Sequence, residues 1–555
     1  MKVSKRLIFF MIICSHFIFL QLVTAKEGID YNPYGINAWF WNIGKICYFK
    51  QANMIRFRIM VPWRCLEPER DIYVWNGVKG SDRSSDFEFH IMNIKAANRD
   101  AKHKIKISLV IYDSPLWARK DPQKVLSYSP EDYADFVIAV LKYCESVAPG
   151  LVEAVEVINE EATGEWIDNR EPTKGTEQRD PSWYYADILK TTSKAIKSFN
   201  PNILVVMDAI WGGAYHHLDE LYQLGLKGYF DRLNFHYYTG LDMGKGYTDF
   251  APNSISIQHF PTILGYIKYL AKINDDPDIP VWLTEFGWRL DEKTKARYME
   301  YVIDNCRKSG YVERINYYEG ASAEDNPGTK NYKPPDPIAL IYCKTLSGPP
   351  EEYGGIPISY IPQKGYYVFK KYTEKYPVWN EKVIEKISYI PAATKDAEII
   401  NSDFELGKKD GWTGNFEIDS SIKHDGNYSM KIVTSTTVYS NVFKIEPEKL
   451  YEVILWIKVQ GESNDSIICL SQAELLSYYD DKTQNIGFIM AEPSNCWGIV
   501  DTRKYPNGWR RFRFPIIGTK ESNYCRLKFE VKGQGQVNID SIKMISLDLG
   551  SLLNH

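Results

Sequence analysis

From about residue 30 to residue 375 the chain alternates short β-rich apolar runs with longer amphipathic stretches, the pattern of a parallel sheet wrapped by helices. Eight runs predict strands: Gly35 to Ala38, Met54 to Met60, Ile105 to Tyr112, Ala154 to Ile158, Ile203 to Met207, Arg232 to His236, Pro280 to Thr284 and Arg314 to Tyr318. Helices fall between them. Pro130 to Ser146 starts behind Ser129, a favourable N-cap, and puts Glu131 and Asp132 in its first turn, where carboxylates suit the helix dipole. Others span Pro181 to Phe199, Glu292 to Lys308 and Lys364 to Lys375, the last closing a ring. The pattern then changes. Pro377 and Pro391 mark a connector over 376–396, after which helical periodicity fades and short strands separated by Gly, Asn and Asp fill 397–548. The expected architecture is α/β, a (β/α)8 TIM barrel over 26–375 followed by an all-β sandwich over 397–548, with 549–555 a frayed tail.

A length of 555 residues accommodates both units, and 44% hydrophobic with 25% charged residues is the balance of a soluble globular protein. The N-terminus carries Lys2, Lys5 and Arg6, an apolar run from Leu7 to Leu22, then Val23-Thr24-Ala25 before Lys26. It predicts a secretory signal peptide over 1–25, and so a secreted protein, extracellular or periplasmic; an uncleaved membrane anchor is the alternative. The net charge of -4 becomes more negative once those three cations are removed, which gives no reason to expect a nucleic-acid partner. Cys47, Cys65, Cys144, Cys306 and Cys343 precede the connector, and Cys469, Cys496 and Cys525 follow it. Both groups are odd in number and no CxxC occurs, so mostly free buried thiols are expected, with room for an isolated bridge. A monomer is expected.

Two of the predicted strands run into glutamates, Val155-Glu156-Val157-Ile158-Asn159-Glu160 and Val281-Trp282-Leu283-Thr284-Glu285. Strand ends of a (β/α)8 barrel open into one cleft, so distant carboxylates can meet there. Cleaving a glycosidic bond with retention needs such a pair about 5 Å apart, one an acid and one a nucleophile. On this reading Glu160 is the acid, which must hold its proton, and Glu285 the nucleophile, which must stay ionised. Asn159 can hydrogen-bond the sugar 2-hydroxyl, His236 another hydroxyl, and the Tyr238 hydroxyl can orient the nucleophile; Arg58 supplies a cation that keeps Glu285 charged. The substrate would be a polysaccharide or oligosaccharide, and the chemistry needs no metal or cofactor. An aromatic content of 14% fits sugar stacking as well as an aromatic-rich core, a choice that stays open for Trp63, Trp75 and Trp117. No H-E-x-x-H, G-x-S-x-G or phosphate loop is present.

Arg58 through Pro68, Tyr73-Val74-Trp75, Ser114 through Ala118, Ile158-Asn159-Glu160, His236-Tyr237-Tyr238 and Thr284 through Trp288 occur in the order seen in clan A glycoside hydrolases. Over about residues 30 to 375 the chain resembles that clan, with the flavour of families 5 and 39. The resemblance implies retaining hydrolysis of β-glycosides, with Glu160 as acid/base, Glu285 as nucleophile, and Arg58, Asn159, His236, Tyr238 and Trp288 in support. Two departures stand out. Glu161 occupies the position after the acid/base where the family usually has proline, and could compete for its role. The eighth strand reads Ile315-Asn316-Tyr317-Tyr318-Glu319, without the usual tryptophan, leaving Tyr317 or Tyr318 to substitute. These departures also suit a competing expectation, a non-catalytic glycan-binding surface protein on a degenerate barrel.

Downstream, Ala397 through Glu405, Gly411-Trp412, His424 through Ile432 and Val537 through Ile542 resemble jelly-roll carbohydrate-binding modules. That resemblance implies that Glu405 and Asp540 help hold a structural calcium and that Trp412 lies in the core. Trp497, Tyr478 and Tyr479 are candidates for sugar stacking, against a sandwich that only stabilises the barrel.

Overall fold

The eight apolar runs become strands because Val, Ile and Leu alternate with little polar relief, which suits strands covered on both faces. The computed structural model describes residues 32–37, 42–77, 86–119, 128–160, 181–210, 215–238, 260–323, 336–345, 357–379, 392–396, 399–433, 436–447, 449–460, 468–476, 505–517, 524–532 and 535–548. Its strands are β1 (Tyr34–Asn37), β2 (Arg56–Pro62), β3 (Lys106–Tyr112), β4 (Val152–Val157), β5 (Leu204–Val206), β6 (Leu233–Tyr237), β7 (Val281–Phe286) and β8 (Val312–Tyr317). They pair in parallel in the order β5-β4-β3-β2-β1-β8-β7-β6. Parallel bridges from Val206 to Arg232 and from Ile210 to Phe235 close the ring. The fold is therefore a TIM barrel, with all eight strands where the sequence predicts them.

Among the described residues eight longer helices alternate with the strands, besides the single turn Trp63–Leu66: α1 (Ile43–Gln51), α2 (Phe87–Asn98), α3 (Pro130–Val147), α4 (Pro181–Phe199), α5 (His216–Gln223), α6 (Phe260–Ile273), α7 (Glu292–Ser309) and α8 (Lys364–Lys375). Ser129 caps α3 as expected, its hydroxyl accepting from the N–H groups of Glu131 and Asp132 at 3.1 and 3.4 Å. Asp291 caps α7 in the same way, and Gly310 ends it at φ 76, a left-handed position that glycine adopts without a Cβ penalty.

Between β8 and α8 lies a small sheet that the sequence reading did not anticipate, β9 (Ala321–Ala323), β10 (Ile341–Thr345) and β11 (Pro357–Pro362). A three-residue strand and one bounded by prolines leave too little alternation to register as sheet.

The C-terminal unit comprises β12 (Ala392–Asp396), β13 (Trp412–Gly414), β14 (Glu417–Asp419), β15 (Ser429–Ile432), β16 (Thr436–Ser440), β17 (Phe443–Lys444), β18 (Leu450–Gln460), β19 (Ile468–Leu476), β20 (Arg510–Ile517), β21 (Tyr524–Lys532) and β22 (Gln536–Asp548). One antiparallel sheet runs β14-β15-β22-β18-β20 and the other β13-β16-β21-β17, with β12 on β22 and β19 on β21. Val453, Phe514 and Ile539 from the first sheet meet Val438, Leu527 and Phe529 from the second in one core that includes Trp412. Strand β12 lies inside the stretch read as a connector and is held by pairing to the end of β22.

A polar seam joins the units. Arg511 is held to Asp219 of α5 at 2.6 Å, Arg510 to Glu220, and Tyr266 and Tyr269 of α6 donate to Glu452 of β18 at 2.9 and 3.1 Å. Arg513 also binds Glu452, at 3.0 Å. The three carboxylates are almost fully buried, while Arg511 and Arg513 are only partly so, and each carboxylate depends on its partner to offset desolvation.

Cys144, Cys306 and Cys343 are buried free thiols, Cys525 is buried as well, and Cys47 is exposed. No helix among the described residues is long and apolar enough to cross a membrane. Residues 1–25, Glu161, Tyr478, Tyr479, Trp497 and 549–555 lie outside the described residues.

Candidate active site

At the C-terminal ends of the barrel strands, polar side chains gather that strand alternation alone would not bring together. Pairing of β6 with β7 shifts register between Phe235 and His236, and that of β7 with β8 shifts between Leu283 and Phe286. Such irregularities re-aim side chains at strand ends. The consecutive residues Thr284 and Glu285 both reach groups in the barrel interior as a result: Thr284 contacts His236 and Asn234, and Glu285 contacts Arg58 and Tyr238.

Arg58, in β2 and 1% exposed, is the hub. Its Nε and Nη2 donate to the two oxygens of Glu156 at 2.8 and 2.7 Å, Nη2 also donates to Asn159 Oδ1 at 2.5 Å, and Nη1 donates to Asn37 Oδ1 at 3.2 Å and to Glu285 Oε1. Burial opposes the guanidinium charge, but Glu156 and Glu285 more than restore it and hold its pKa above the usual arginine value. Asn37 is fixed in turn, its Nδ2 donating to the Thr284 carbonyl at 2.8 Å. With every guanidinium nitrogen engaged by protein, Arg58 sits where it positions Glu285, beside the carboxylate it was expected to keep charged.

Glu285 receives a second donor on its other oxygen, the Tyr238 hydroxyl. Burial first, and then the Glu285 charge, push the Tyr238 pKa well above the usual phenol value, so it remains a donor. A carboxylate held by an arginine and a phenol is oriented on both oxygens.

Glu160 has different company. Its Oε1 meets His236 Nδ1 directly, while His236 Nε2 lies 2.9 Å from Thr284 Oγ1. Burial lowers the His236 pKa to about 4; Glu285 pulls it up and Arg58 pushes it down. Burial thus favours the neutral imidazole.

The backbone leading to Glu160 is unusual. Strand β4 ends at Val157, and Ile158 and Glu160 have φ of 64 and 52. Left-handed φ is costly for a β-branched residue and clusters where function demands a particular aim. Alternation along a continuing strand therefore does not apply past Val157. One oxygen of Glu160, one of Glu285 and a ring nitrogen of His236 all lie within 4.8 Å of one another. The spacing would admit a cation, but Glu160 already occupies Nδ1 and the Arg58 guanidinium is pressed against Glu285, which repels a second positive charge.

Trp288 corrects the sequence reading. Its indole is 0% exposed and packs edge-on against Phe286 and Tyr298 in the barrel core, so it is not a substrate contact. Trp63 is also core, stacked on Phe136, and Trp75 stacks on Tyr143; Trp117 donates to the Glu67 carbonyl at 2.9 Å. In β8, Tyr317 is buried with its hydroxyl on the Ile338 carbonyl at 2.9 Å. Tyr318, by contrast, is half-buried and sets its ring edge-on to Tyr238, 6.1 Å between centroids. Of the two tyrosines left open, Tyr318 is the one beside the site.

Sequence reasoning passed over Glu156, Asn37, Asn234 and Thr284. Glu156 left a signal, a charge inside the apolar run of β4 that only a buried partner makes tolerable.

In the sandwich, Glu405 and Asp540 converge on the turn 423–428. Glu405 Oε1 accepts from the N–H groups of Asn427 and Tyr428 at 2.7 and 2.9 Å, and Asp540 Oδ2 accepts from those of His424 and Asp425 at 2.7 and 3.2 Å. Burial and the nearby Glu405 charge lift the Asp540 pKa to about 6 despite these donors. A cation would relieve that pair. The two side chains alone fall short of the 6 to 8 oxygen ligands of calcium, leaving the remainder to backbone oxygens or water.

No protein-family model matches the chain. No curated protein matches it either. Among solved structures it is similar to the GH39 enzyme from Xanthomonas axonopodis pv. citri, at 12% identity and TM-score 0.42, covering 95% of this chain and 96% of that one. It is also similar to a family 39 glycoside hydrolase from Bacteroides cellulosilyticus WH2, at 14% identity and TM-score 0.39, covering 91% and 82%. A third, a GH5_18 from Bifidobacterium longum subsp. infantis, shares 14% identity with TM-score 0.40, over 60% of this chain and 73% of that one.

Proposed function

We propose that the chain is a secreted retaining glycoside hydrolase acting on β-glycosidic bonds of a polysaccharide or oligosaccharide. The supporting observation is the pair of buried glutamates at the ends of β4 and β7, with oxygens within 4.8 Å and opposite surroundings. That spacing is nearer the ~5 Å of a double displacement than the about 6.5–9.5 Å of an inverting pair. In the first step Glu160 gives its proton to the glycosidic oxygen as Glu285 Oε attacks the anomeric carbon and the C–O bond to the leaving group breaks. In the second, Glu160 takes a proton from water, whose oxygen displaces Glu285. Asn159 is held by Arg58 through Oδ1, which turns its Nδ2 away from the guanidinium and frees it to donate to a sugar 2-hydroxyl.

Glu160→Ala separates this reading from a glycan-binding barrel. Expected is a loss of about 10²–10⁴-fold in kcat on unactivated glycosides, with first-step rates on nitrophenyl glycosides, whose leaving groups need little protonation, falling far less. Equal losses on both substrates would refute the acid role, and glycan binding without turnover on any substrate would refute the enzyme.

The sandwich is proposed as a glycan-binding module with a structural calcium at Glu405 and Asp540. Calcium is expected to raise the Tm of the whole protein by a few degrees over EDTA, and Glu405→Ala to erase the difference. An equal Tm in calcium and EDTA would remove the metal.

A further inference from the structure

Two chemically identical glutamates must hold different protonation states in one cleft, and the hydrogen-bond polarity around Glu160 is set by a group outside the reacting pair. A backbone carbonyl can only accept. Asn234 presents its amide to the carbonyl of Met207 at 3.3 Å, so that contact is through Nδ2 and Oδ1 faces the other way. Thr284 Oγ1 lies 2.6 Å from Asn234 Oδ1 and has to donate its single proton there. Its remaining lone pairs can only accept, so His236 Nε2, at 2.9 Å, carries a proton and donates to it. A neutral imidazole with hydrogen on Nε2 has a bare lone pair on Nδ1, and Nδ1 is the atom against Glu160 Oε1.

We propose that the chain Met207 carbonyl, Asn234, Thr284, His236 is a directional relay that presents a hydrogen-bond acceptor to Glu160 and thereby holds it in the protonated form, making Thr284 and Asn234 positioning residues for the acid. The Glu285 side is wired in the opposite sense. There Asn37 donates to the Thr284 carbonyl, its Oδ1 accepts from Arg58, and Arg58 and Tyr238 both deliver N–H or O–H donors to Glu285. Donors on both oxygens suit a carboxylate, and a lone pair suits a carboxylic acid. Thr284 serves both arms, its backbone anchoring one and its hydroxyl the other. After Glu160 loses its proton in the first step it faces the same Nδ1 lone pair, and this makes it the stronger base that the second step uses.

The charged or titratable groups facing the Glu160–His236 pair among the described residues are Glu285 from β7, Arg58 from β2, Glu156 from β4, Asp208 beyond β5 and Tyr238 beyond β6. Only Glu285, Arg58 and Tyr238 belong to the other arm directly, and Thr284→Val leaves all five in place.

The inference rests on the proposed acid role of Glu160 for its catalytic consequence but not for its wiring, so two readouts are paired. In full-length protein labelled with ¹⁵N-histidine, with the His236 signal assigned by its loss in His236→Asn, the ring at neutral pH is expected to be neutral with hydrogen on Nε2. The alkaline limb of kcat/KM on an unactivated glycoside is expected to move to lower pH by about one unit in Thr284→Val, because the freed ring can turn its hydrogen to Nδ1 and stabilise the ionised carboxylate. Thr284→Ser, which keeps the hydroxyl, is expected to hold the original limb. An imidazolium, or hydrogen on Nδ1, in the unaltered protein would overturn the relay without any variant having to fold. An unchanged limb in folded Thr284→Val would overturn it too. If the protein hydrolyses no glycoside yet shows the Nε2–H form, the relay stands and the enzymatic reading falls; activity with the wrong tautomer gives the reverse.

Discussion

Glu285→Ala is expected to lower kcat by about five orders of magnitude, the scale seen when a covalent nucleophile is removed, and azide is expected to restore part of the turnover with inverted product. The attacking oxygen is fixed from two sides, by Arg58 from β2 and by Tyr238 from the end of β6. Truncation to alanine removes the oxygen but leaves both donors aimed at the space it filled. A small anion drawn into that space meets the anomeric carbon from the face opposite the leaving group. One displacement then replaces two, so the glycosyl azide carries the opposite anomeric configuration to the substrate, and proton NMR of the product reads it directly. Azide product of unchanged configuration would remove Glu285 from the nucleophile's role. A wild-type product of inverted configuration would remove the retaining mechanism itself.

The barrel was legible because its strands are apolar runs of strand length separated by capped, amphipathic helices. Local signals of this kind survive without tertiary information, as Ser129 ahead of α3 and Gly310 behind α7 illustrate. Glu160, Glu285, His236 and Tyr238 were legible for a related reason, since each sits where a strand pattern stops and a barrel opens. What could not be read was which side chains spend their polarity on one another. Arg58 reads in sequence only as a cation for Glu285, yet it also engages Glu156, Asn159 and Asn37, groups scattered over two other strands and one strand end. Trp288 follows Glu285 closely enough to suggest the cleft, yet its indole turns into the core beside Phe286 and Tyr298. The direction of a side chain beyond a strand end depends on register shifts and left-handed residues such as Ile158, which periodicity does not encode. Thr284 was passed over because a threonine in a strand is ordinary by propensity, and its importance lies in which way its one proton points.

Arg58→Met is expected to destabilise the protein by about 3–5 kcal/mol, the cost of stranding buried charges, and to abolish turnover in the fraction that remains folded. Glu156 is 1% exposed and Glu285 8%, and Arg58 is the cation between them. Removing it leaves two carboxylates facing one another in a medium that screens them poorly, with Glu285 keeping only Tyr238 as an orienting donor. Glu156→Leu alone leaves Arg58 with Glu285 as its single carboxylate partner, so the guanidinium is drawn toward Glu285 and is expected to release Asn159. If the three groups act as one unit, the double variant Arg58→Met with Glu156→Leu loses clearly less stability than the two single losses added together, because it removes one charge of each sign from the interior. Urea unfolding followed by tryptophan fluorescence gives the three differences. Strict additivity, or an Arg58→Met loss below about 1 kcal/mol, typical of an exposed pair, would show that Glu156 and Arg58 do not support each other, and that the orientation of Glu285 has another source.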